Sequence, residues 1–295
     1  SLLALGFALA FSKAQSTANN QVITWTSAKL SVTGFTITAE VKDAILDDIK
    51  HMLSDMNHVN VISLDDLKSF AGKCVCVSTL IFTWRPFVAM LYGPIHDPSR
   101  RGDAPPGCVW RRQVAVPLEW LTAYVGGVAG TMSRSYSLAA YIEQGLQVQI
   151  TVDAPPLGLG GYLVEEGKVE EYFISGITST DEEILSHQRG GSEGQQTWEA
   201  LASLVALRHW APRWKGKRVT LRVRSDPITA RTLILKLQAK GAGTSVISRE
   251  MALDIAEAVY SPSVASHLPG VANLTADTLS RFDEGNPSLP PHLRG

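Results

Sequence analysis

The stretch LQVQITVDAPPLGLGGYL, residues 146 to 163, decides how the second half of the chain is read. Leu146, Val148, Ile150 and Val152 alternate with polar neighbours, the period-two pattern of a strand with one buried face. The strand ends on Asp153. Pro155 suits the turn that follows, because its φ is fixed. Gly158, Gly160 and Gly161 precede no helix, so they read as a hairpin turn rather than a phosphate loop.

Three further acids occupy similar places. Glu199 opens the helical stripe QQTWEALASLVALRHW, Asp226 ends the strand RVTLRVRSD, and Asp277 falls in the short helix of NLTADTLSR. The bland alternative is four separate solvated acids. Carboxylates delivered together from strand ends and helix starts repel one another unless cations neutralise them. A pair of hard divalent ions is the natural occupant, and the chemistry it suits is two-metal phosphodiester hydrolysis.

These surroundings resemble the ribonuclease H domain of retroelement reverse transcriptases. DAPPLGLGGYL is similar to that family's DAS-P-x-G-x-GG-x-L hairpin, and WEALASLVALRHW to its Glu-bearing helix. RVRSDPITA resembles the SDN-x-x-A strand end, and HLPGVANLTADTLSR the PG-x-x-N-x-x-AD-x-LSR helix of gypsy-type and DIRS-type elements. The likeness covers residues 145 to 282 and leaves 283 to 295 as a tail. It implies an α/β fold, an RNase H-like mixed sheet flanked by helices.

The activity it implies is cleavage of the RNA strand of an RNA-DNA hybrid with two Mg2+ or Mn2+ ions. Asp153, Glu199, Asp226 and Asp277 would be the catalytic and metal-ligating residues. Asp153 would touch both ions, Glu199 and Asp226 the leaving-group ion, and Asp277 the ion that activates water. Asn273, one helical turn before Asp277, would orient that carboxylate or touch a ribose hydroxyl, or else cap the helix. His267 would either assist product release, as a loop histidine does in cellular ribonucleases H, or end a strand, as the HLPG phrase does in gypsy-type elements. Two departures stand out: Pro155 replaces the family's Ser, and Pro227 replaces its Asn directly after Asp226, pushing that aspartate toward extended backbone. The alternative is a non-catalytic, decayed or domesticated nucleic-acid-binding module of the same fold.

A basic segment, RHWAPRWKGKRVTLRVR, carries Arg208, Arg213, Lys215, Lys217, Arg218, Arg222 and Arg224 around Trp210 and Trp214. Basic and aromatic residues together suit the backbone and sugars of a hybrid, with Lys215, Lys217 and Arg218 as the nucleic-acid contacts. The competing reading has both tryptophans covering the core. Arg111 and Arg112 beside Trp110 repeat the pattern on a smaller scale.

The first half carries a looser likeness to the end of the palm, the helical thumb and the connection of the same enzymes. Residues 1 to 37 read as a palm end with a hairpin, and 38 to 144 as helical thumb and connection with a linker near 93 to 107. Helices are expected from about Thr38 to Asn57, and from Ser63, capped with Asp66, to near Gly72. Pro86 should break the apolar run after them, and another helix should start at Pro117. The polymerase's aspartate pair is absent from the sequence, so DNA synthesis by this chain alone is not expected; the missing polymerase portion is an expected partner.

The 295 residues are 45% hydrophobic and 19% charged, a globular balance, and a net charge of -1 gives no whole-chain argument for nucleic acid. Cys74, Cys76 and Cys108 are too few for a disulfide framework or zinc site and suit an intracellular setting, cytoplasmic or nuclear. The apolar opening LLALGFALAF is about half the length of a spanning helix and has no basic residue before it, so neither membrane insertion nor secretion is expected.

Overall fold

The computed structural model describes residues 22–25, 28–137, 146–155, 157–214, 219–225, 233–258, 264–267 and 273–281. The N-terminal part opens on β1 (Val22–Trp25), β2 (Ala28–Thr33) and β3 (Thr36–Val41), joined antiparallel. A strand not expected from the sequence, β6 (Ser133–Ser137), closes this sheet in the order β1-β2-β3-β6. The helix expected from Thr38 starts later, as α1 (Asp43–Asn57). Thr36, Ile37 and Thr38 are β-branched, and pairing with both β2 and β6 holds them in a strand.

Two short strands, β4 (Val61–Ser63) and β5 (Cys108–Trp110), bracket the helical part. Ser63 caps α2 (Leu64–Leu80), its Oγ accepting from Asp66 N at 3.0 Å and donating to Asp66 Oδ2 at 2.6 Å. This helix runs through Gly72, because Leu67, Phe70, Ala71, Cys74 and Val77 continue its buried face across the glycine. Pro86 marks the expected break: a 3-10 turn, Phe82–Trp84, leads into α3 (Arg85–His96) with the proline in its first turn, where the missing N–H costs little. The expected linker is partly helical. Its first residues, Gly93 to His96, belong to α3, whose end is closed by Arg101 donating to Pro94 O at 2.7 Å and Ile95 O at 2.9 Å. Next comes α4 (Ala115–Val125), two residues earlier than expected.

The second part is built on β7 (Leu146–Asp153), β8 (Gly158–Glu165) and β9 (Lys168–Gly176), an antiparallel meander. It continues through α5 (Ser179–Leu185) and α6 (Gln195–Trp214) to β10 (Val219–Ser225), then α7 (Ala242–Ala256), β11 (Val264–His267) and α8 (Leu274–Ser280). The sheet order is β11-β10-β7-β8-β9, with β10 parallel to both β7 and β11. This is the mixed sheet flanked by helices that the resemblance implies. The short α5, capped by Thr178 and Asp181, lies between β9 and α6.

Helix α6 lies on the sheet face formed by Val148, Ile150, Val152, Leu159 and Leu163, with Trp198 and Trp210 among its buried side chains. Helix α8 lies on β8, β7 and β9. The glycines expected in a turn are inside strand β8. A Cβ on Gly158 would meet Ser280 O at 2.2 Å, and one on Gly160 would meet Ser280 N at 2.3 Å. Glycine is required there by the backbone of α8, which rests directly on the strand.

Core side chains of both parts form one continuous cluster. Arg85 joins them, donating to Ser78 O and Lys236 O, each at 3.1 Å. Cys74 is buried within this core, which pushes its thiol pKa up. No described helix is long and apolar enough to cross a membrane.

Candidate active site

Asp153 is the last residue of β7, and its cross-strand partner on β8 is Gly160. Directly opposed residues of an antiparallel pair share a sheet face, so the Asp153 side chain rises beside the glycine on which α8 rests. Ser280 Oγ donates to Asp153 Oδ2 at 3.0 Å and is itself positioned against Asp277 O at 2.9 Å. Asn273, at the other end of α8, donates from Nδ2 to Val152 O at 3.1 Å and to Asp153 Oδ1 at 3.4 Å. Both oxygens of Asp153 are thus addressed by α8.

Glu199 reaches the same strand end by another route. Gln195, in the first turn of α6, donates from Nε2 to Ala154 O at 2.5 Å and to Glu199 Oε1 at 3.3 Å, tying the helix to the residue after Asp153. Glu199 is only 4% exposed, a carboxylate held inside the fold where an uncompensated charge is costly. Asp277, half exposed in α8, receives Arg281 Nε at 2.7 Å on Oδ1. The described acids Asp153, Glu199 and Asp277 therefore sit on three elements anchored to one end of β7, with Asp277 engaged by an arginine.

Asp226 lies outside the described residues; Ser225, immediately before it, ends β10. His267 ends β11 and pairs in register with Ser225, so its backbone is at the carboxyl end of the sheet, on a strand rather than in a loop. Asn273 differs from the expectation. It is 1% exposed, and its amide holds Asp153 rather than Asp277. Ser280 and Gln195 were missed; the only sequence signal was their position one turn from a candidate acid.

The basic segment divides. Arg208 forms a two-pronged pair with Asp254, at 2.7 and 3.0 Å, and reaches Glu250 at 2.8 Å. The Asp254 hydrogen bond raises its guanidinium pKa. Arg213 joins Glu165 at 3.0 Å and also Glu171, which accepts Trp210 Nε1 at 2.8 Å. These arginines fasten α6 to α7 and to the sheet, and Trp210 and Trp214 are buried, so this part of the segment is structural. Arg112 similarly pairs with Asp103 and lies over Trp110. Lys215, Lys217 and Arg218 lie outside the described residues.

The donor chemistry of Asp153, Glu199 and Asp277 fits a hard divalent cation, since every candidate ligand atom is a carboxylate oxygen. Each oxygen of Asp153 can accept a hydrogen bond and still offer a lone pair. Among the described residues no group of three or more His, Cys, Asp or Glu side chains is close enough to hold an ion. Arg281 engages Asp277 through Oδ1, so an ion bound there would share this carboxylate with a guanidinium.

No protein-family profile and no curated protein matches this chain. Solved structures similar to it include RNase H1 from the halophilic archaeon Halobacterium salinarum NRC-1, at 15% identity over 48% of this chain and 98% of that one, TM-score 0.35. LC11-RNase H1, isolated from compost by a metagenomic approach, is 16% identical over 46% of this chain and 93% of its own, TM-score 0.34. The foamy viral protease-reverse transcriptase in complex with an RNA/DNA hybrid is 12% identical over 85% of this chain and 30% of that chain, TM-score 0.29.

Proposed function

We propose that this chain is a fragment of a gypsy-type or DIRS-type retroelement reverse transcriptase whose second part hydrolyses the RNA strand of RNA-DNA hybrids. The observation that carries the reading is the meeting of α6 and α8 at the end of β7: Gln195 brings Glu199 there, and Ser280 and Asn273 hold Asp153. Asp226 completes the proposed catalytic set, and Lys215, Lys217 and Arg218 the proposed nucleic-acid contacts.

Asp153, Glu199, Asp226 and Asp277 would hold two Mg2+ or Mn2+ ions, which supply water activation and charge neutralisation at the leaving 3′ oxygen. The chain's own part is to fix the ligands. Ser280 and Asn273 set the plane of the Asp153 carboxylate, while Gln195 sets that of Glu199. In-line attack leaves a 5′-phosphate and a 3′-hydroxyl. The test is incubation with a uniform hybrid and with the matching DNA duplex in millimolar Mg2+: RNA fragments bearing 5′-phosphates from the hybrid alone support the reading, and an intact hybrid overturns it.

One observation favours a second reading, a non-catalytic module of the same fold: Arg281 holds the Asp277 carboxylate. Under that reading, hybrid is bound but not cut, and Arg281→Ala does not unmask cleavage.

A further inference from the structure

On the first part of the chain, two arginines lie together without an acidic partner among the described residues. Arg134, on β6, has its guanidinium carbon 4.1 Å from the centre of the Phe82 ring and 4.8 Å from that of Tyr136. Phe82 belongs to the turn that leads into Arg85. β6 is an edge strand of its sheet, so Arg134 and Tyr136, two residues apart, share one face at the margin of that sheet. Among the described residues no carboxylate forms an ion pair with Arg85 or Arg134, and none accepts a hydrogen bond from Arg134. Arg85 spends Nε and Nη1 on backbone carbonyls, which leaves Nη2 without an acceptor among the described residues.

The arrangement is electrostatically costly. Burial and the charge of Arg134 together hold the Arg85 pKa below its ordinary value, the mark of a cation facing a like charge. Stacking between two rings fixes the plane of Arg134 and recovers some of that cost. A planar, oriented and unsatisfied guanidinium beside a second one is the donor geometry that phosphate oxygens accept. Arg85 also lines a cavity of about 380 Å3 between α2, α3 and α7, where Ser78, Thr79, Gln238 and Ser245 add hydroxyl and amide groups.

We infer that Arg85 and Arg134 form a phosphate-binding site that grips the backbone of the nucleic acid, separate from the carboxylates at the end of β7. The ligand is a backbone phosphodiester, and the neighbouring Phe82 and Tyr136 rings suit the sugar and base surfaces beside it. The inference rests on the proposed hybrid substrate, yet it can fail or stand independently.

Binding of a fluorescent hybrid to the intact chain, measured across salt concentrations in Ca2+, tests it. Replacing Arg134 with Gln should lower the salt slope by about 0.9 log units, so that affinity falls on the order of tenfold near 0.1 M salt and converges with wild type near 1 M. Arg134→Lys should keep the slope. An unchanged slope for Arg134→Gln overturns the inference. Should that variant unfold, dicarbonyl modification of arginines in the unaltered chain decides: protection of Arg134 by hybrid but not by millimolar inorganic phosphate supports a backbone grip, and no protection by hybrid overturns it. Protection without hybrid cleavage in Mg2+ sinks the nuclease reading alone, whereas cleavage without protection sinks this one alone.

Discussion

Gly160 lies under the backbone nitrogen of Ser280, where a Cβ would come within 2.3 Å. The missing side chain is what lets α8 settle on β8 and carry Ser280 Oγ to 3.0 Å from Asp153 Oδ2. Packing and chemistry are joined at this contact, because any residue that lifts the helix also removes the donor that orients the carboxylate.

Gly160→Ala should therefore cost stability and activity together. The clash is with backbone, which cannot rotate away, so destabilisation of about 1–3 kcal/mol is expected, at the upper end of that range. Denaturant midpoints measure the first effect and hybrid cleavage the second. An alanine variant with unchanged melting would show that α8 does not rest on the strand.

Ser280→Ala separates the two effects. It keeps the helix seated and removes one donor to Asp153, so cleavage should fall roughly 10–100-fold, with a matching loss in Mn2+ affinity. Melting should change by no more than about 1–2 kcal/mol. Titration of Mn2+ by relaxation reads the affinity without any turnover, and equal affinity in both proteins would remove Ser280 from the positioning of Asp153.

Arg213→Ala and the triple change of Lys215, Lys217 and Arg218 to Ala should behave oppositely. The first breaks the ties to Glu165 and Glu171 and should lower stability by roughly 1 kcal/mol without altering the salt slope of hybrid binding. The second should shallow that slope by up to about 0.9 log units for each phosphate no longer neutralised, and leave melting alone. An Arg213 variant that flattens the slope would return that residue to the nucleic-acid surface.

Tyr124 gives the fold an alkaline limit. Burial raises its pKa to about 12, so the folded protein holds the phenol proton more tightly than the unfolded chain, where it titrates near 10. The resulting stability is whole below about pH 10 and is lost as pH climbs toward 12. Tyr124→Phe should flatten this loss, as seen by comparing denaturant midpoints at about pH 9 and about pH 11. Parallel pH curves for the two proteins would rule Tyr124 out as the cause.

The sequence carried the second part well because its signals are local. Alternation from Leu146 to Val152 marks β7, and the apolar stripe from Trp198 to Trp210 marks α6. What it concealed were long-range relations. β6 could not be read, because SRSYS has no alternation of apolar residues and becomes a strand only by pairing with β3. Gly158 and Gly160 carry the same letters whether they make a turn or receive a helix, and only the position of Ser280 decides. Arg208 and Arg213 read as part of a basic segment suited to a hybrid because their acids, Asp254 and Glu165, are far away in sequence.

Asp153, held by α8, stands at the heart of the proposed metal-dependent hybrid nuclease. Its role is read most plainly by comparing the unaltered chain with Asp153→Asn, an uncharged side chain of the same shape, on a uniform RNA-DNA hybrid in millimolar Mg2+. The unaltered chain should cut the RNA strand, and the variant, equally folded by its melting curve, should not. Cleavage by the variant at the rate of the unaltered chain would refute that role.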